Sequence, residues 1–436
     1  MKISRNVIFV EDGKNSWIVA NTLTGSIIRI DNKAKIDLEV GSEKNLKKLS
    51  TKEFLDCVDM KILVPDNLDE ANFLSYIINK DRLSPKSLTS YVAFSTACNF
   101  NCVYCNEKGQ VQTKTMSENL VFRIIKWHKD KLETGDFKMC RIYLYGGEPL
   151  LCMYLIRKLL SEISKITKAL KIELRIILIS NGFLLTKEIF KELVEFGLQE
   201  VHVSLDGDEE IHNKRRPLKN GSGSFQQVFG NLINISNLKL PVSLICRIGF
   251  DNSNLQSISV LLDKIKQKDK NQLIEPYFGY ITQTTSQIIN PDSFCSQHIL
   301  EDDEIAESVI WLYRESKKMG FSIPDFFTLG PCIGPTDSAS VIAPDGLMYK
   351  CLDMIDCSDV VTGDIRLDEP GPIYYDFLKS EQLEHCINKT DCPFVPICGG
   401  GCIMESYLKT GDHRKKICHR EMLQKIHQGL LPLQFS

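Results

Sequence analysis

The spacing Cys98-x3-Cys102-x2-Cys105 constrains this chain more than any other feature. The three cysteines follow the apolar run Tyr91-Val92-Ala93-Phe94-Ser95, which predicts a loop leaving the end of a buried strand. Three thiolates on so short a loop can hold three irons of a cubic 4Fe-4S cluster and leave the fourth iron without a protein ligand. A small molecule can bind that open iron. A zinc knuckle is the alternative reading, but zinc sites usually pair Cys-x2-Cys with a second Cys or His pair, and none lies close downstream.

At 436 residues the chain has room for about three domains, and 43% hydrophobic content is ample for buried cores. No segment approaches the roughly 18 uninterrupted apolar residues of a membrane span, and the stretch from Met1 to Ser16 carries charges where a signal peptide needs an apolar run. The expectation is a cytoplasmic protein without a membrane partner. A net charge of -3 gives no reason to expect nucleic acid. With no export signal, the 16 cysteines are expected to bind metal or stay reduced. Ten of them fall in two clustered sets, and Cys57, Cys140, Cys152, Cys246, Cys295 and Cys357 are expected to be mostly packing residues.

Residues 1–85 read as a small domain. Ser16 to Val19 and Ser26 to Ile30 form a hairpin, followed by a helix opening at Ser50, the run Ile62 to Pro65, and a helix from about Leu68 to Ile78. This mixture suits a winged-helix-like unit. Leu83 to Ser87 reads as a linker. From there strands (Tyr91 to Ser95, Arg141 to Tyr145, Leu174 to Ser180, Glu200 to Ser204, Val242 to Phe250, Ile274 to Tyr280) alternate with helices. Six strands separated by helices predict an α/β core, a parallel sheet in an open or partial (β/α)6 barrel over residues 86–300, with the site at the carboxyl ends of its strands.

The loops at those ends carry the chemistry. Gly146-Gly147-Glu148-Pro149 follows the second strand, Ser180-Asn181-Gly182 the third and Ser204-Leu205-Asp206-Gly207 the fourth. Glycines let the backbone approach a ligand, and a carboxylate can accept from an ammonium group. In order and spacing, the cysteine loop and the Gly-Gly-Glu-Pro loop resemble the radical S-adenosylmethionine superfamily. The resemblance implies that Cys98, Cys102 and Cys105 hold its 4Fe-4S cluster. Gly146, Gly147 and Glu148 would hold the amino group of S-adenosyl-L-methionine, and Ser180 and Asn181 its ribose or carboxylate. It further implies that Tyr104 packs on the adenine, with a core tyrosine as the alternative, and that Ser204 and Asp206 contact cofactor or substrate. Arg247, read as a buried cation in the fifth strand, would pair with the cofactor carboxylate, and a structural ion pair is the alternative. His212 is expected to stabilise its loop.

The helix-like stretch from Asp302 to Lys318 leads into a second cysteine set within residues 301–436: Cys332, Cys351, Cys386, Cys392, Cys398, Cys402 and Cys418. Pro344-Asp345-Gly346 predicts a hairpin turn that brings Cys332 and Cys351 together. Cys332, Gly346 and Cys351, with Cys392-x5-Cys398-x3-Cys402 and the later Cys418, resemble the SPASM extension of radical enzymes that modify peptides. Lys389 stands where that family usually has a cysteine, and Cys386 lies three residues earlier. The resemblance implies two auxiliary iron-sulfur clusters, one held by Cys332, Cys351 and Cys402 and one by Cys386, Cys392, Cys398 and Cys418. Cys357 or an open iron would complete the eight positions, and zinc is the rival for this region alone.

The resemblance as a whole implies a maturase of ribosomally made peptides. In that reading a 5'-deoxyadenosyl radical removes hydrogen from a peptide carbon and the enzyme installs a crosslink, a cysteine thioether ahead of a carbon-carbon bond. The implied partners are a precursor peptide, whose leader adds a strand to the amino-terminal domain, with a purely structural cap as the alternative reading of that domain, and a small electron-transfer protein such as flavodoxin or ferredoxin. An anaerobic sulfatase maturase that makes formylglycine is the alternative. Two features weigh against it: the amino-terminal extension, and Leu352 where those enzymes commonly carry an aspartate, with Asp353 next.

Overall fold

The computed structural model describes residues 1–105, 113–282, 293–330, 332–367 and 369–435. Its amino-terminal strands are β1 (Lys2–Ile3), β2 (Val7–Glu11), β3 (Ser16–Asn21), β4 (Ser26–Asp31) and β5 (Leu63–Val64). The expected hairpin is β3 and β4, and β2 adds a third antiparallel strand that the sequence reading missed. Its alternation is visible afterwards: Ile8 and Val10 are buried, while Val7 and Phe9 are half-buried. β1 pairs with β5. Ser50 starts the helix Thr51–Asp59 through a capping box, its hydroxyl accepting from Glu53 N at 3.2 Å while Ser50 N donates to the Glu53 carboxylate at 2.8 Å. The following helix, Glu70–Leu83, runs past Ile78 because buried Arg82 continues its inner face and donates to the carbonyls of Pro335 and Leu378.

The core sheet contains β6 (Ser87–Ala93), β7 (Met139–Tyr145), β8 (Glu173–Ser180), β9 (Leu198–Ser204), β10 (Ser243–Phe250) and β11 (Ile274–Tyr280). Neighbours in chain order are parallel throughout, and β6 and β11 lie apart, so the sheet stays open. Helices cover it between successive strands, which is why its strands are rich in Val, Ile and Leu. In the helix Met153–Leu170, Ile156, Leu159, Leu160 and Ile163 have no exposed surface. At about 1.5–3 kcal/mol for each such side chain, packing rather than helix propensity holds the element in place.

The hairpin at Pro344-Asp345-Gly346 forms between β12 (Ala339–Ile342) and β13 (Leu347–Tyr349), with Gly346 at φ 91°, and β14 (Gly363–Asp364) follows. β12 pairs in parallel with β6, Ala339 opposite Thr89 and Ile342 opposite Val92. The hairpin therefore prolongs the core sheet to nine strands. The helix Asp302–Lys318 packs against the helix Arg420–Phe435 and β11. The amino-terminal sheet rests on this region too: Ile8, Val10, Ile18 and Ala20 share a cluster with Phe327, Phe394 and Leu431. Among the described residues no helix is long and apolar enough to cross a membrane.

Candidate active site

The cysteine loop is gripped from two sides. On one, Gly147 N donates to Ser95 O at 2.8 Å and Glu148 N to Ala97 O at 2.9 Å. A Cβ at Gly146 would stand 2.5 Å from Ser95 O, and one at Gly147 would stand 2.4 Å from Ala97 O, so both positions exclude any larger residue. On the other side, Asn101 N donates to Pro217 O at 2.8 Å, Val103 N to Arg215 O at 2.9 Å, and Lys219 N to Asn99 O at 3.0 Å. The Gly-Gly-Glu-Pro loop and the segment 215–219 thus fix where the three thiols point.

Glu148 is fully buried, and its carboxylate is bound by donors of the protein itself. One carboxylate oxygen accepts from Leu150 N at 3.0 Å and Ser180 Oγ at 2.9 Å, and the other accepts from Asn181 N at 2.8 Å. Burial pushes its pKa up to about 7 against the pull of those bonds. This carboxylate ties the loop after β7 to the loop after β8. The groups that face the cavity here are Gly146, Gly147, Ser180 and Asn181. Asn181 Nδ2 also donates to Asn99 Oδ1 at 2.8 Å and lies 3.7 Å from Cys98 Sγ.

Arg247 is exposed on the open face of β10 and lines the cavity, so the expected buried cation is corrected. An inward-facing reading failed because side chains alternate along a strand and residue 247 falls on the cavity face. The buried cations beside Asp206 and Tyr104 are Arg215 and Arg216, to which the sequence reading gave no role. Asp206 is fully buried: one oxygen accepts from Gly249 N at 3.3 Å, and the other from the Tyr104 hydroxyl and, at 3.4 Å, from Arg215 Nε. Arg215 Nη1 reaches Asp251 at 2.7 Å, and Arg216 Nη1 donates to the Tyr104 hydroxyl at 2.6 Å. Burial pushes the Tyr104 pKa well above its ordinary value. The Tyr104 hydroxyl is thus committed to protein partners while the residue still lines the cavity. The signal that could have found the arginines is the pair Arg215-Arg216 itself, two adjacent cations in a segment otherwise bound for the interior.

His212 lies behind this network. Its Nδ1 accepts from Asp206 N at 3.3 Å, and its Nε2 donates to Ser224 Oγ at 3.0 Å. Burial first, then nearby Arg216, pushes its pKa down to about 3. Because the folded pKa lies below the unfolded one, its stabilisation is complete above about pH 6.5 and is lost as pH falls toward 3. The melting-temperature advantage of the native chain over His212→Gln is therefore expected to be largest at pH 7 and to shrink steadily down to pH 4.5.

One cavity unites these features. It is lined by Cys98, Cys102 and Cys105, by Ser204, Asp206, Arg216 and Arg247, and by Tyr280, Leu352 and Asp353. Leu352 and Asp353, which follow Cys351, were not expected here. They arrive because β12 and β13 extend the core sheet on the side of β6.

The donor set fits an iron-sulfur cluster and an anionic ligand. Cys98 Sγ accepts from Phe100 N at 3.4 Å, an N–H···S bond of the kind that supports cluster thiolates. Burial pushes its pKa up to about 11, so metal binding would have to displace a proton. Arg216 Nε is buried in the cavity wall with no acceptor among the described residues.

The second cysteine set also assembles. Cys332, Cys351 and Cys402 lie close enough for each other's charge to raise the Cys351 pKa further, beyond the effect of burial, and Cys402 Sγ accepts from Glu405 N at 3.5 Å. Cys386, Cys392, Cys398 and Cys418 line a separate cavity. Among the described residues no three Cys, His, Asp or Glu side chains converge on the position of one metal ion. Cys357 sits near Tyr407 on the helix that Cys402 caps. Cys57, Cys140, Cys152, Cys246 and Cys295 are buried, in keeping with packing roles.

Three thiols of one loop above the carboxyl ends of a parallel sheet thus share a cavity with glycines and the guanidinium groups of Arg216 and Arg247. Residues 92–265 match the family model of the Radical SAM superfamily. The Fe-coproporphyrin III synthase of Methanosarcina barkeri is 24% identical over 248 residues, 55% of this chain and 54% of that protein. The GTP 3',8-cyclase of Campylobacter jejuni subsp. doylei is 30% identical over 181 residues, 41% of this chain and 52% of that one. The chain thus spans about half the length of these curated relatives. Among solved structures, anSMEcpe with bound AdoMet superposes with a TM-score of 0.63 at 19% identity, covering 80% of this chain and 98% of that one. Streptococcus suis SuiB bound to S-adenosylmethionine superposes with a TM-score of 0.54 at 14% identity, covering 96% and 99%. These likenesses extend the shared fold through the carboxyl-terminal cysteine region.

Proposed function

We propose that this chain is a radical S-adenosylmethionine enzyme that oxidises a residue of a bound peptide. The observation that carries the reading is the single cavity joining Cys98, Cys102 and Cys105 to Asp353, beside a second and third assembly of cysteines. Two of the similar structures hold peptides: anSMEcpe with AdoMet and the Kp18Cys peptide, and SuiB with the precursor peptide SuiA. Gly146, Gly147, Ser180, Asn181 and Ser204 would hold the cofactor, with Arg216 or Arg247 on its carboxylate. Cys332, Cys351 and Cys402, and Cys386, Cys392, Cys398 and Cys418, would hold auxiliary clusters. When bound, these groups supply a radical that removes hydrogen and an acceptor for the remaining electron. The chain's own contribution is to orient the peptide carbon, exclude water and offer Asp353 as a proton acceptor inside the cavity.

Formylglycine formation and thioether crosslinking are both two-electron oxidations of the peptide. The similarity in fold is somewhat higher to anSMEcpe than to SuiB, and Asp353 reaches the cavity despite its displacement by one residue, so formylglycine is the better supported product. The match to SuiB across the amino-terminal strands keeps the crosslink as the second reading. Cysteine-containing peptides incubated anaerobically with reconstituted enzyme and analysed by mass and by a hydrazide probe separate them. An aldehyde establishes the first. A loss of two hydrogens with a cysteine that no longer alkylates and no aldehyde establishes the second.

A further inference from the structure

Lys114 joins the cysteine loop to the segment that carries Asp353. Its main chain is zipped to the residues that open the loop: Lys114 N donates to Thr96 Oγ1 at 2.9 Å, and Lys114 O accepts from Thr96 N at 2.9 Å and from Ser95 Oγ at 2.8 Å. Its ammonium crosses to the carboxyl-terminal region, 2.9 Å from Asp345 Oδ2 and 2.9 Å from Asp356 Oδ1. Asp345 lies in the turn between β12 and β13. Asp356 follows a run of turns that starts at Cys351, where Met354 N donates to Cys351 O at 3.3 Å and Ile355 N to Leu352 O at 3.3 Å. Leu352 and Asp353, which line the cavity, are inside that run. Asp356 holds φ at 68°, a left-handed conformation that a residue with a side chain adopts at a cost its surroundings must offset.

We propose that Lys114 is a positioning residue: it sets Asp353 at the cavity wall by holding Asp345 before it and Asp356 after it against the base of the cysteine loop. The proposal rests on the reading of Asp353 as a proton acceptor. A single exposed ion pair contributes little. Here one ammonium, on a main chain already fixed by three hydrogen bonds, meets two partly buried carboxylates that flank the same segment. A proton acceptor works only within hydrogen-bond reach of its donor, so loosening the segment harms product formation. Cofactor cleavage depends on the cysteine loop, whose bonds to residue 114 involve only the main chain there and survive a change of side chain.

The test uses the full chain with its clusters reconstituted. In hydrogen-deuterium exchange followed by mass spectrometry, which needs no substrate, Lys114→Met is expected to speed exchange across residues 351–357 about fivefold, and across β7 and β8 less than about twofold. Lys114→Arg should restore the native rate. Asp356→Asn removes the charge but keeps a residue that tolerates the left-handed conformation, so it should reproduce the Lys114→Met effect even where that variant fails to fold. With the cysteine-containing peptide of the assay above, Lys114→Met should keep 5'-deoxyadenosine formation and the peptide KM within about twofold, yet yield about fivefold less product per 5'-deoxyadenosine. Lys114→Arg should recover that ratio. Unchanged exchange across 351–357 in both Lys114→Met and Asp356→Asn would overturn the proposal, as would a loss of 5'-deoxyadenosine as large as the loss of product. Full product from Asp353→Asn, with exchange altered as expected in the other variants, would sink only the reading of Asp353 as a proton acceptor and would leave the hold of Lys114 on its segment established.

Discussion

Alanine at Cys98, Cys102 or Cys105 is expected to abolish reductive cleavage of S-adenosylmethionine, each substitution by itself. All three thiols line one cavity, on a loop whose backbone is bonded on both sides to neighbours that the substitutions do not touch. The fold should therefore survive and the loss should be chemical. In the proposed cluster one iron already lacks a protein ligand; removing a thiolate would leave a second iron open, and such a cluster would not be retained. The comparison variant is Cys402→Ala, which alters the second cysteine set only. It should keep a measurable fraction of cleavage while blocking peptide product. The measurement is 5'-deoxyadenosine formed per enzyme under dithionite, with electronic and paramagnetic spectra to count what remains. Normal cleavage by all three core variants would overturn the assignment of this site, and full product from Cys402→Ala would make the second set dispensable.

Much of the core was legible because its physical signals are local. The run Leu174 to Ser180 is too apolar and β-branched for anything but a covered strand, and β8 begins one residue before it. Ser50 and Glu53 announce a helix start by their spacing alone. What was not legible depends on partners distant in sequence. The pairing of β12 with β6 joins residues about 250 positions apart, and it is this pairing that delivers Leu352 and Asp353 to the cavity. Glu148 shows the same limit at one residue. Whether the carboxylate of Gly-Gly-Glu-Pro faces the cavity or the interior depends on Ser180 and Asn181, donors supplied from the end of another strand. Arg247 was misread as buried because a lone charge in an apolar strand looks like an ion pair until the open face is known.

Replacing Arg215 with alanine is expected to cost about 3–5 kcal/mol of folding stability, because it strands two buried carboxylates. Asp206 and Asp251 are both fully buried, and this guanidinium reaches both. Burial acts to raise the Asp251 pKa, yet Arg215 and Ser253 hold it below its ordinary value, so the carboxylate stays charged and depends on its partner. Against a typical total of about 5–15 kcal/mol, the loss takes a large share of the margin. It also frees Asp206, which with Arg216 positions the Tyr104 hydroxyl beside the cysteine loop. Urea unfolding followed by circular dichroism measures the cost. Adding Asp251→Asn to Arg215→Ala should recover part of it by removing one stranded charge, an effect that lost side-chain packing alone would not produce. A loss below about 1 kcal/mol would place this pair with solvated surface ion pairs, which contribute little, and would remove Arg215 as the anchor of the site.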